Sequence, residues 1–139
     1  MKCLAVIDTN ILVSALISPQ PNAATGQVVS RMILGEITPV YCKEILAEYR
    51  EVLGRRKFNF PKDVVEQMLA VIEKYGLYVT PGQAQAHLPD EKDTPFYNAA
   101  WETRRDGAYL VTGNLKHFPA EPFVVTARQL LEIIEKSGS

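Results

Sequence analysis

The apolar positions of this chain fall into short blocks of two alternating kinds. Cys3 to Ile7 is an unbroken apolar run, the pattern of a strand buried on both faces, and the polar cluster Asp8-Thr9-Asn10 follows it directly. Ile11 to Ile17 then predicts a short helix stopped by Ser18-Pro19-Gln20-Pro21. Ala23 to Leu34 predicts a second helix, ended by Gly35. Ile37 to Tyr41 reads as the next strand. From Lys43 to about Arg56, Ile45, Leu46, Tyr49, Val52 and Leu53 recur at helical spacing, and Pro61 to Tyr75 repeats the pattern before Gly76, so the two form a helical hairpin.

Leu77 to Thr80 predicts a short strand, and Pro81 to Lys92 is polar and broken by Pro and Gly, as a surface loop is. Asp93 to Arg105 is helical in pattern, with Thr94 as its N-cap and Pro95 at the first helical position, where a missing N–H costs nothing. Ala108 to Thr112 is a second apolar strand, leading into Gly113-Asn114. Phe123 to Val125 gives a last strand, after which Thr126 and Gln129 make a capping-box pattern that opens a helix to about Lys136. Strands that alternate with helices predict an α/β fold: a mainly parallel sheet covered on both faces, in three α/β/α layers. No internal repeat or linker interrupts the pattern, so residues 1–139 are expected to form one domain.

Composition changes this picture little. The 139 residues are 47% hydrophobic and 22% charged, near the globular average, which excludes a disordered or fibrous chain. Fifteen Lys and Arg against sixteen Asp and Glu leave a net charge of -1, without the basic excess of a non-specific nucleic-acid binder. Bound cations can supply the missing positive charge locally. Cys3 and Cys42 lack metal-ligand spacing and read as buried free thiols, which fits a reducing compartment. The run from Cys3 to Ile7 is too short for a signal-peptide core, and no apolar stretch approaches the roughly 18 residues of a membrane span. A soluble, cytoplasmic protein with no membrane partner is expected.

Candidate chemistry collects at strand ends, where open α/β sheets bind ligands. Asp8 ends a buried strand, and an ionised carboxylate there needs a cation, a donor or water. Capping of the following helix is the structural alternative at similar odds. Glu48 lies at the edge of the Ile45, Tyr49, Val52 stripe and can reach a pocket at the sheet's end, whereas Glu44 and Glu51 point outward. Its alternative is a solvated surface acid paired with Arg55 or Arg56. Asp93 opens a helix whose inner face is Phe96, Tyr97 and Ala100, and Thr94 with Pro95 partly releases it from capping. Asp90 and Glu91 belong to the loop. Oxygen ligands on separate elements, without a His or Cys cluster, match Mg²⁺ or Mn²⁺ better than zinc, and such ions suit phosphate chemistry.

These residues resemble a known family. The stretch Leu4-Ala5-Val6-Ile7-Asp8-Thr9-Asn10-Ile11-Leu12-Val13-Ser14-Ala15-Leu16, then Ile45-Leu46-Ala47-Glu48-Tyr49, then Asp93 before an aromatic-bearing helix, then Leu110-Val111-Thr112-Gly113-Asn114 are similar, in order, to the PIN-domain ribonucleases. The likeness is greatest to a bacterial and archaeal branch of toxins from toxin–antitoxin pairs. The resemblance implies that Asp8, Glu48 and Asp93 hold Mg²⁺ or Mn²⁺, that Thr112 positions ligand or water, and that RNA phosphodiester bonds are hydrolysed by an activated water. It also implies a homodimer and an antitoxin protein as partners. The family's frequent fourth acid is matched here by Asn114, whose amide can coordinate through oxygen but brings no charge. Asn10, close behind Asp8, can orient water or ligand, or serve a turn or cap. Lys116 and His117 can meet a phosphate at the mouth of the site but read more simply as a surface-loop pair, and Arg55, Arg56 and Lys57 can track RNA backbone but read more simply as a solvated helix end; none of them is read as catalytic.

Three other classes stand against this reading. A non-catalytic PIN-like module that binds RNA or protein shares every fold feature, and Asn114 is its chief support. A phosphohydrolase of the haloacid-dehalogenase type shares only Asp8, since the expected second Asp two positions later is Asn10. A Rossmann or P-loop nucleotide binder lacks its Gly-rich phosphate loop after the first strand.

Overall fold

The computed structural model describes residues 3–17, 23–82 and 88–138. The predicted stop at 18–21 and the loop positions 83–87 lie outside them. Five strands form one sheet: β1 (Cys3–Ile7), β2 (Ile37–Tyr41), β3 (Leu77–Tyr78), β4 (Tyr109–Val111) and β5 (Val124–Val125). Their spatial order is β3-β2-β1-β4-β5, and every pairing is parallel. Ala5 faces Pro39 on one side of β1 and Tyr109 on the other. Consecutive residues Ala5, Val6 and Ile7 are all buried, which requires cover on both faces of the sheet and explains why the run carries no polar alternation.

Six helices provide that cover: α1 (Thr9–Ile17), α2 (Ala24–Ile33), α3 (Lys43–Leu53), α4 (Lys62–Tyr75), α5 (Thr94–Thr103) and α6 (Ala127–Gly138). The predicted three-layer α/β/α architecture stands, with a sheet parallel throughout rather than mainly so. α5 packs on β1, β2 and β4 and touches α3, while α2 joins α6 and α1. The helical hairpin is clasped by Arg50 of α3 and Glu66 of α4, 2.7 Å apart. The capping box that opens α6 is reciprocal, with the Thr126 N–H donating to Gln129 Oε1 (2.9 Å) and the Gln129 N–H to Thr126 Oγ1 (3.1 Å). Both cysteines are free thiols, Cys42 buried and Cys3 partly so.

Element ends differ from expectation: α1 begins at Thr9 rather than Ile11, and β4 is Tyr109–Val111 rather than Ala108 to Thr112. The strand predicted from Leu77 to Thr80 is confined to Leu77–Tyr78. It follows a crowded entry: a Cβ at Gly76 would lie 2.3 Å from the Ile72 carbonyl oxygen and 2.7 Å from that of Pro39. Thr94 is not the N-cap of α5. Residues Glu91–Asp93 form a 3-10 turn that runs straight into the helix, so Asp93 holds the cap position in helical conformation and Thr94 is already inside. Asp90 caps the upstream turn instead, accepting the Lys92 N–H at 3.0 Å.

Candidate active site

The carboxyl ends of β1 and β4 lie side by side, and the polar residues that follow each strand meet there. Asp8 leaves β1 with its N–H donating to the Val111 carbonyl (2.9 Å), and its own carbonyl accepts the Ile11 N–H (2.9 Å) as α1 begins. The side chain is buried, 6% exposed. Thr112, fully buried one residue beyond β4, donates its hydroxyl to Asp8 Oδ2 at 2.7 Å. The backbone N–H groups of Thr9 and Asn10 also bond the Asp8 carboxylate. Burial nevertheless dominates and raises the Asp8 pKa above the usual carboxylate range, against the lowering effect of these donors and of His117.

Glu48 arrives on α3, which is fixed to the end of β1 by its neighbour. The buried Tyr49 hydroxyl donates to the Ile7 carbonyl, and the Tyr49 ring meets Phe96 of α5 edge-on, centroids 6.0 Å apart. Glu48 is half-buried. Its pKa is raised by desolvation, with Glu51 and Asp8 adding to the shift and Lys92 and Arg55 opposing it. Arg55 is bonded not to Glu48 but to Glu51, at 2.9 Å.

Asp93 completes the acidic group from the start of α5. Its carboxylate makes no capping hydrogen bond and is only 15% exposed. Desolvation, then the charges of Asp8 and Asp90, raise its pKa to about 6, with Glu48 adding to the shift and His117 opposing it. The charge of Asp8 reaches both Glu48 and Asp93, and that of Glu48 reaches Asp93, which puts the three predicted acids in one electrostatic neighbourhood. Asn114 joins them through the backbone, its N–H donating to Thr112 Oγ1 at 3.0 Å. Asn10 contributes its backbone N–H, whereas its side chain is exposed on the first turn of α1.

Two rim residues join the site, Lys92, which the sequence did not point to, and His117, which it read as a surface-loop residue. Lys92 acts on Glu48 from the exposed 3-10 turn. His117 puts Nδ1 3.6 Å from Asp93 Oδ2 and Nε2 3.0 Å from the Asn114 Nδ2. The Lys92–Glu48 and His117–Asp93 links join residues from different elements, so no spacing rule could have found them, whereas His117 and Asn114 are three residues apart in one turn.

The donor set suits a hard divalent cation in type and in charge. Three carboxylates whose ionised forms are disfavoured by burial, two of them further by their acidic neighbours, would be relieved by positive charge. Among the described residues no three His, Cys, Asp or Glu side chains already stand together as an ion cage.

The sequence pattern of the PIN domain matches residues 4–116, which takes in Asp8, Glu48, Lys92, Asp93, Thr112 and Asn114 and stops one residue before His117. The chain belongs to the PIN-domain family. PIN domains are generally nucleases that act on RNA and typically depend on a divalent metal. This PIN domain is also similar to an uncharacterized protein of Methanocaldococcus jannaschii, 26% identical over 121 residues that cover 82% of this chain and 72% of that one. No solved structure matches it. Membership sets aside the haloacid-dehalogenase and nucleotide-binding alternatives. Among the described residues no helix is long and apolar enough to cross a membrane.

Proposed function

We propose that this PIN domain is a metal-dependent endoribonuclease whose ion, Mg²⁺ or Mn²⁺, is held by Asp8, Glu48 and Asp93, with Asn114 beside them. The observation that carries the reading is the buried Asp8 carboxylate, locked by Thr112 at 2.7 Å, whose charge adds to the cost of ionising both Glu48 and Asp93. When bound, the cation eases formation of a hydroxide nucleophile from water and offsets the charge that develops on a phosphodiester. Asp8 is the rigid anchor: Thr112 and the backbone N–H groups of Thr9 and Asn10 fix its rotamer, so it need not be ordered when substrate arrives. Glu48 and Asp93 are partly exposed. Lys92 stands at the rim, where a substrate phosphate would meet positive charge.

Cleavage of a panel of single-stranded and structured RNAs with Mn²⁺ or Mg²⁺ tests the proposal. Asp8→Asn is expected to lower the rate by at least about 100-fold, because it removes a charged ligand without altering shape. Asn114→Asp is expected to raise it. A second reading, a module that binds RNA or protein with little or no cleavage, is favoured by the neutral Asn114; cleavage by no variant, with each folded and RNA still bound, selects it.

The biological setting we propose on the resemblance is the toxin of a toxin–antitoxin pair, acting as a homodimer and restrained by an antitoxin protein. Growth arrest on expression of the wild type but not of Asp8→Asn supports that setting, and indifferent growth with an active nuclease rejects it.

A further inference from the structure

Position 114 raises a problem that a carboxylate would not. A carboxylate offers an oxygen at either end, whereas Asn offers an oxygen at one end and an NH₂ at the other. Beside acids that gather a cation, an Asn helps only if something decides which end faces them.

His117 is placed to decide it. The Asn114 backbone is tied to Asp8 through Thr112, with bonds of 3.0 Å and 2.7 Å, so the side chain starts from a fixed point. Its Nδ2 lies 3.0 Å from His117 Nε2, and the other ring nitrogen lies 3.6 Å from Asp93 Oδ2. The latter separation is longer than a hydrogen bond, yet it sets a carboxylate charge directly before Nδ1 and favours the tautomer with its proton there. Nε2 of that tautomer can only accept. It takes a hydrogen from Nδ2, and the amide oxygen is turned away from the ring. The imidazole is 51% exposed, so core packing does not account for its position.

We propose that His117 is a positioning residue that, oriented by Asp93, holds the Asn114 carboxamide with Oδ1 free for the ion gathered by Asp8, Glu48 and Asp93. The inference rests on the metal-dependent reading above. It makes the pair Asn114 and His117 a joint replacement for a fourth acid: the histidine supplies the orientation that an amide needs and a carboxylate does not.

The test is a double-mutant cycle on Mn²⁺ affinity, read by electron paramagnetic resonance of the free ion, with the intact protein as wild type, His117→Ala, Asn114→Asp and the double variant. His117→Ala is expected to weaken binding about 10-fold in the wild-type background, the scale on which partners that orient ligands act. In the Asn114→Asp background the same change is expected to cost less than roughly twofold. His117→Gln, whose amide oxygen can also accept from Nδ2, is expected to retain most of the affinity. Equal losses in both backgrounds, or no loss in either, overturn the proposal. If the wild type binds Mn²⁺, Asp8→Asn does not, and His117→Ala changes nothing, this inference alone fails. If the folded wild type binds no Mn²⁺, the metal-dependent reading fails and takes the inference with it.

Discussion

Each acid of the site is held where ionisation is costly, and that has a sign. Asp93 titrates at about 6 in the folded chain, above the ordinary Asp value near 3.9. An acid whose folded pKa is raised weakens the fold as pH climbs: below the unfolded value both states are protonated and nothing is lost, and between that value and about 6 the unfolded chain releases the proton more readily. The metal-free protein is therefore expected to lose stability between pH 4 and 6 from this group. Asp93→Asn should stabilise it at pH 7 by about 1 kcal/mol, after discount for solvent screening of a partly exposed carboxylate. Thermal denaturation in chelator across this range measures both effects; an Asp93→Asn protein less stable at pH 7 would contradict the account. Metal binding must reverse the direction, since ligands bind deprotonated: Mn²⁺ affinity of the wild type is expected to fall as pH drops through about 6. Asp8 was legible as the polar residue that ends an apolar run. Asp93 was legible as an acid before a helix, but the reason it is free of capping was misread, because a 3-10 turn capped by Asp90 has no apolar period to betray it.

At the scale of elements, α3 is the lever that brings Glu48 to the sheet, and Tyr49 is its fulcrum. Tyr49→Phe keeps the ring against Phe96 but strands the Ile7 carbonyl, a loss of about 1–3 kcal/mol for a buried acceptor left unpaired. Weaker metal binding is expected to accompany that loss, because α3 is no longer fastened to β1. Denaturant unfolding together with Mn²⁺ titration would show it, and a full-affinity Tyr49→Phe would mean that packing alone seats the helix. The capping box of α6 lies outside the acidic group: Thr126→Ala should cost about 1 kcal/mol and leave Mn²⁺ affinity unchanged. Apolar periodicity exposed α3, α4 and the Thr126 box because these are local patterns. It overran at the C-terminal end of β3, expected to reach Thr80 but ending at Tyr78, because pairing with β2, a tertiary constraint, sets where the strand stops.

For the molecule as a whole, the parallel order with β1 at the centre turns four separate sequence motifs into one surface. The alternation of elements was enough to anticipate the layers, since each strand return in a parallel sheet needs a crossover. Which strand neighbours β1 was not legible, and neither were the links of His117 and Lys92 to the acids, because they exist only after β4 and β1 have come together.

That pairing also sets a clock. Thr112 is 104 residues downstream of Asp8, and synthesis at about 5–20 residues per second leaves roughly 5–20 s between the two. Throughout that interval the nascent chain holds the first strand and its carboxylate but neither the hydroxyl that locks it nor the strand that shelters it. On the function proposed above, cutting of RNA cannot begin before β4 and Thr112 have been made and have docked beside β1.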